Sequence, residues 1–240
     1  MLRPYAPRRR AANAPLPVHG CENWDMESSR TGPPRRVQVI GRALNATVAH
    51  APWLWPLLRA PMRGFFDRNA PGWDDRTDAG SVDHLAGLAV AATRVSPAPE
   101  RVLDLGTGTG VAALFWAREF PAARVRGIDL SPEMIRAAQA KVGLDPEGRI
   151  AFRVADASDL PYDDESFDLV SQVNMPPFFA EIARVLRPGG QFVIAASSGP
   201  GTPFYTPNSV LERGLRRRGI EVADRGEAGR GTWLVARKPG

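Results

Sequence analysis

The chain has 240 residues, 43% of them hydrophobic, a formal net charge of +5 and a single cysteine. That length supports one sizeable core with extensions rather than two full domains, which usually take ~100–200 residues each. One cysteine, Cys21, excludes an intramolecular disulfide and a cysteine-built metal site.

The charge is unevenly spread. Residues 1–36 carry seven Arg against three acidic residues, which leaves 24 basic against 23 acidic residues in the rest. A near-neutral body lacks the clustered cations that a phosphate backbone requires, so no nucleic-acid partner is expected. Residues 1–36 are rich in Pro and Arg with no hydrophobic period, cannot repay the entropy of ordering, and are predicted to be a disordered basic tail. Met26 is a candidate start within that tail. Arg8 to Arg10 is followed by Ala, Asn and Pro rather than an apolar run, so no secretory signal is read. The most apolar stretch, residues 44–66, contains Pro52, Pro56 and Pro61 with His50, Arg59 and Arg63, which argues against a membrane span. Cytoplasm is the default location, and the oligomeric state is not legible.

Residues 37–96 are predicted to form an N-terminal helical cap. Its first part, residues 37–69, is aromatic-rich and cut by prolines into short pieces. Ser81 reads as a helix cap, with Val82, Leu85, Leu88, Ala89 and Ala92 at three- and four-residue steps on one helical face. The helix should end before Pro97.

Beyond Arg101, short β-type runs alternate with helical ones, which predicts βαβ units and a parallel sheet across residues 97–240. Strands are expected at Arg101 to Leu105, Arg124 to Asp129, Ile150 to Val154, Phe167 to Gln172 and Gln191 to Ala196. Helices fall at Gly110 to Glu119, Pro132 to Val142 and Phe178 to Leu186, the last stopped by Arg187-Pro188-Gly189-Gly190. A helix at Asn208 to Arg218 and strands at Ile220 to Asp224 and Thr232 to Arg237 complete the chain.

The chemistry concentrates at strand ends. Val102 to Gly110 is a buried strand entering a glycine turn, where Gly106, Gly108 and Gly110 let a ligand lie against bare main chain. The spacing is G-x-G-x-G rather than the dinucleotide G-x-G-x-x-G, and Asp104 stands two residues before it. An acid there repels a pyrophosphate and suits a ligand with a positive amino group. The next strand ends at Asp129, placed to accept from two ribose hydroxyls. The third ends at Asp156-Ala157, where a carboxylate can accept from an exocyclic adenine amine while Leu130 packs on the ring. Taken singly, Asp104 could cap a turn and Asp129 could flank a helix; Asp163 to Glu165 reads as a solvated turn and not a metal site.

The run from Arg101 to about Ala196 resembles the class I S-adenosylmethionine-dependent methyltransferases, in particular the branch with ubiquinone and menaquinone C-methylases. The matching residues are the glycine turn, Gly127 to Met134, the Asp156 strand end, Leu160 to Asp168 and Ala183 to Gly190. The resemblance implies a Rossmann-like α/β fold of seven strands, mostly parallel with the last antiparallel, and S-adenosyl-L-methionine as cofactor. It implies that Asp104, Gly106 and Gly108 hold the methionine part, Asp129 the ribose, and Asp156 with Ala157 the adenine. Thr107, Gly110, Leu130, Met134 and Asn174 complete the expected donor contacts.

On the acceptor side the family's longer loop is reduced to Val173-Asn174-Met175-Pro176-Pro177. Asn174 to Phe178 is similar to the Asn-Pro-Pro-aromatic motif of amino-group methylases, with one inserted residue out of register. Phe65 to Asp74 is similar to the family's N-terminal motif, with Trp73 where a Tyr usually stands. That segment and the Trp53 and Trp55 helices are expected to form a lid over an apolar acceptor pocket, with Phe66, Trp73, Met175 and Phe178 as candidate acceptor contacts; plain packing is the alternative for Trp53 and Trp55. His84 is read as an ordinary helix-surface residue. The implied activity is methylation of a small apolar or aromatic metabolite at O, N or C. An amine or nucleic-acid base is the alternative acceptor, and a donor-binding scaffold without catalysis the alternative class. A nicotinamide oxidoreductase is disfavoured by the glycine spacing and by Asp104. No metal is expected.

Overall fold

The computed structural model describes residues 35–240. The predicted tail lies outside the described residues except for Arg35 and Arg36, which begin the first helix. The N-terminal part is helical, with α1 (Arg35–His50), a short 3-10 turn at Pro52–Leu54, α2 (Trp55–Asn69), α3 (Trp73–Thr77) and α4 (Val82–Ala92). Then follow β1 (Arg101–Leu105), α5 (Val111–Glu119), β2 (Arg124–Asp129), α6 (Pro132–Lys141), β3 (Ile150–Val154) and β4 (Phe167–Val173). The chain continues through α7 (Phe179–Val185), β5 (Leu186–Ala196), α8 (Asn208–Arg216), β6 (Glu221–Ala228) and β7 (Gly231–Arg237).

The seven strands form one sheet in the order β3-β2-β1-β4-β5-β7-β6. β1 to β5 run parallel, and β7 is antiparallel to both β5 and β6. The expected mostly parallel, seven-stranded α/β sheet is therefore the one observed. The order reverses at β1, between β2 and β4, and in open parallel sheets such a switch point opens a crevice beyond the strand ends.

Two apolar layers flank the sheet. Leu88, Trp116, Val125, Ile135, Phe152 and Val235 pack α4, α5 and α6 on one face. Leu103, Leu105, Phe192, Ile182 and Leu215 pack α7 and α8 on the other, joined there by Leu44, Val48 and Trp55 of α1 and α2. β1 is buried at four of its five positions, as a central strand covered on both sides must be.

Several local expectations need correction. Ser81 does cap α4, its side chain accepting from the His84 backbone N–H at 3.0 Å. The buried face of that helix, however, is Gly87, Leu88, Ala91 and Ala92, with Val82 88% exposed and Ala89 also exposed. The three-residue step from Leu88 leads to Ala91, and Gly87 permits close approach to the backbone of Thr232 on β7. β5 begins at Leu186, five residues earlier than expected. Its Pro-Gly-Gly stretch pairs with the chain end, Gly189 N–H donating to Lys238 O and Lys238 N–H to Gly190 O, each at 2.9 Å. β6 extends to Ala228 because its polar second half pairs with β7 across a hairpin, giving an edge strand that alternates exposed and half-buried positions.

Candidate functional site

The turn after β1 holds three glycines in the left-handed region, Gly106 at φ 58°, Gly108 at 52° and Gly110 at 86°. Their surroundings differ. A Cβ at Gly108 would meet nothing within 4 Å, whereas one at Gly106 would collide with the Sδ of Met175. A Cβ at Gly110 would strike Phe152 and Ala138, so this third glycine serves the packing of the following helix against α6 and β3.

Asp104 is 1% exposed. Its two oxygens accept from Thr107 Oγ1 and Ser171 Oγ, each at 2.7 Å, and Ser171 Oγ in turn accepts from Trp116 Nε1 at 2.7 Å. Burial pushes the Asp104 carboxyl up to about 6, against the lowering effect of the two hydroxyls. Asp129 bridges the turn to the next loop, accepting from Gly108 N–H and Ser131 N–H at 2.9 Å each. Burial raises its pKa, and those backbone bonds oppose the rise. A carboxylate offers about four lone-pair positions. Neither acid is saturated by these bonds, and the open backbone at Gly108 lies against Asp129.

Register places these groups side by side. Leu105 pairs with Ile128, so Gly106 follows at the level of Asp129, and Asp129 itself pairs with Val154, two residues before Asp156. Leu130 is partly buried and Ala157 buried in the same apolar layer. Met134 is 1% exposed, its backbone N–H bonded to Ser131 Oγ at 3.1 Å as the cap of α6. Asp104, Asp129 and Asp156 therefore stand at the tips of three neighbouring parallel strands.

Asp156 has an unanticipated partner. The indole Nε1 of Trp55 shares its hydrogen between both carboxylate oxygens, 2.9 Å from each, and Ser158 N–H donates to Oδ1 at 2.9 Å. Arg59 adds a long ion pair at 3.9 Å. Trp55 is 7% exposed and meets Phe178 edge-on at 5.2 Å, while Trp53 is 72% exposed. α2 and α3 also reach these elements: Asp67 of α2 accepts from Ser131 Oγ at the cap of α6 at 2.6 Å, and Asp74 of α3 bonds Thr109 Oγ1 in the glycine turn and Lys141 Nζ at the end of α6. Asp67 and Asp74 were not singled out as site residues, although both lie in the Phe65 to Asp74 motif that could have flagged them.

On the acceptor side, Phe66 meets Trp73 at 5.6 Å and Phe204 at 6.3 Å. Asn174 sits at φ 53°, and both ends of its amide are taken by Ser197 at 2.9 Å, Nδ2 donating to Oγ and Oδ1 accepting from the backbone N–H. That pairing directs Asn174 toward the end of β5. His84 is half-buried, and burial lowers its pKa. Among the described residues no group of three or more His, Cys, Asp or Glu could hold a metal ion, and no helix is long and apolar enough to cross a membrane.

Residues 102–190 match the methyltransferase domain family. The ubiquinone/menaquinone biosynthesis C-methyltransferase of Syntrophotalea carbinolica is 35% identical over 151 residues, covering 59% of this chain and 63% of that protein. The demethylmenaquinone methyltransferase of Deinococcus radiodurans is 34% identical over 176 residues, 69% of this chain and 72% of that protein. In six further curated relatives the chain spans between 40% and 66% of their length. A solved SAM-dependent methyltransferase from Aquifex aeolicus superposes with a TM-score of 0.55 at 20% identity, covering 65% of this chain and 92% of that one, a likeness of fold. With the family match spanning the strand-tip acids and glycine turn described above, and the Deinococcus relative covered over 72% of its length, the chain belongs to the class I S-adenosylmethionine-dependent methyltransferases, related to the ubiquinone/menaquinone C-methyltransferases.

Proposed function

We propose that this chain transfers a methyl group from S-adenosylmethionine to a small apolar or aromatic metabolite, at O, N or C. The observation that carries the reading is the alignment of Asp104, Asp129 and Asp156 at three adjacent strand tips around a turn whose Gly108 is open. In it, Asp104 and Thr107 face the amino-acid part of the donor, Gly106 and Gly108 supply bare backbone, Asp129 receives the ribose, and Leu130, Met134, Asp156 and Ala157 form the base end. When bound, the donor supplies a methyl on a positively charged sulfur, which leaves as the neutral thioether when an electron pair of the acceptor displaces it. The chain's own part is to hold the acceptor in line and exclude water, which accounts for a large share of the rate of such a step without a general base.

The aromatic group of Phe66, Trp73 and Phe204, with Phe178 and Met175, supports an apolar acceptor. The amine-methylase alternative gains no support from Asn174, whose amide is oriented by Ser197 at both ends. A cytoplasmic setting belongs to the same proposal.

Calorimetric titration with S-adenosylmethionine, S-adenosylhomocysteine and NAD tests the donor assignment. Micromolar binding of the first two, weakened at least tenfold by Asp129→Ala, is expected, and preferential binding of NAD would overturn it. Methyl-tritium transfer to a panel of phenols, quinols and small amines then tests the acceptor class; transfer confined to the amines would overturn that part.

A further inference from the structure

Two of the chain's own side chains lie across the proposed donor path. At the base end, Trp55 presents a flat bicyclic ring whose N–H reaches both oxygens of Asp156, the carboxylate assigned to the adenine amine. At the other end, the Met175 thioether covers Gly106. Between them, a Cβ at Gly108 would meet nothing within 4 Å, and the Gly108 N–H donates to Asp129. An indole reproduces what an adenine offers this site, a planar apolar ring with one nitrogen-bound hydrogen directed at a carboxylate.

The construction of α2 separates the Trp55 end from the anchored end. Pro61 lies inside the helix and has no N–H for the carbonyl of Leu57, so the helical ladder is broken midway between Trp55 and Asp67. Beyond the break, Asp67 holds Ser131 and Asp74 holds Thr109 and Lys141. Before it, α2 leads back through the 3-10 turn at Pro52–Leu54, where Trp53 and Leu54 are exposed. The first half, where Trp55 and Leu58 pack beside α1 and Arg59 pairs with Asp156, is thus joined to the second half, held at Ser131 on the start of α6, through a helix that lacks this one hydrogen bond.

We propose that Trp55 is an internal competitor for the adenine subsite: α2 closes the donor cleft by seating the indole on Asp156, and the donor enters only when the first half of α2 swings away. This rests on the donor assignment made above. Apparent affinity is then the intrinsic affinity reduced by the fraction of molecules that are open. The same motion uncovers Phe178, which packs edge-on against Trp55, and so links donor entry to exposure of the acceptor side.

The test is titration and stopped-flow binding of S-adenosylhomocysteine to the full chain and its Trp55→Ala and Trp55→Phe variants. Trp55→Ala should bind about tenfold tighter, and Trp55→Phe, which keeps a ring but loses the hydrogen-bond donor, should fall between it and wild type. Wild-type binding rates should level off with ligand concentration at the opening rate, while those of Trp55→Ala rise linearly. If Trp55→Ala does not fold, Trp55→Phe alone decides by the same comparison. Equal or weaker binding in folded variants would overturn the proposal and make Trp55 part of the bound-state pocket. No binding to any of the three, wild type included, would instead remove the donor assignment on which it rests.

Discussion

Replacing Gly106 with alanine separates the structural from the ligand-binding demand on the donor turn. Gly106 has φ 58°, where an alanine costs ~1–2 kcal/mol of backbone strain. The added Cβ also meets Met175 at its Sδ, with Cγ at 3.2 Å and Cβ at 3.4 Å. A thioether end can leave by changing rotamer, at about 0.5–1.5 kcal/mol. The total is roughly 2–3 kcal/mol, or a Tm loss of about 5–10 °C for a chain of this size. Gly108→Ala is the comparison, since φ 52° imposes the same strain but no atom lies within 4 Å. It should lose about half as much. Adding Met175→Ala to Gly106→Ala relieves the collision at the expense of a half-buried side chain, so the two changes should be less than additive. Calorimetry with S-adenosylhomocysteine should show Gly106→Ala weakened about a hundredfold, because the new methyl occupies the surface the ligand needs. A folded Gly106→Ala protein binding within threefold of wild type would refute the placement of the donor, and equal Tm losses in the two glycine variants would refute the Met175 contact.

The contribution of Asp104 to stability should fall as pH rises from about 4 to about 6. Asp104 has a folded-state pKa of about 6 against 3.8 unfolded, so the native state binds the extra proton in that window and loses the advantage above it. Asp104→Asn should flatten that slope by up to about 3 kcal/mol in urea denaturation across pH, and an unchanged slope would contradict the burial assigned to this acid. Asp168→Ala should cost about 2–4 kcal/mol with little change in donor binding, because Asp168 Oδ2 accepts from Glu100 N–H at 2.7 Å and Arg101 N–H at 2.8 Å, and Oδ1 pairs with Arg187 at 2.6 Å. A native-like melt would show those N–H groups finding other partners. Gly214→Ala should destabilise by about 1–3 kcal/mol, since its Cβ would enter the ring of Phe179 across α7 and α8. A wild-type melt would show that the ring yields freely.

What could be read in advance follows from which signals are local. β1, β2 and β3 have the bounds expected from their apolar runs, because an apolar strand between a charged start and a turn declares both ends. The glycine turn and the Asp104 before it were legible for the same reason, as chemistry compressed into nine residues. The contact between Trp55 and Asp156 spans 101 positions and rests on how α2 folds back over the sheet, which no periodicity encodes. The fate of Asn174 depends likewise on Ser197 arriving from the next strand. The exposed side of α4 was misjudged because Val82 and Ala89 fit a helical spacing, and only Gly87 against Thr232 shows which stripe lies on the sheet.

Trp116 settles which way the protons point beneath the glycine turn. An indole nitrogen can give a hydrogen but not receive one, so Ser171, receiving it on Oγ, must turn its own hydrogen toward Asp104. A side chain from the helical layer thereby makes Asp104 a receiver and keeps its negative end facing its neighbours. A glutamine at position 116, able to both give and accept, would let the Ser171 hydroxyl turn away from Asp104 and leave that carboxylate oxygen without its donor.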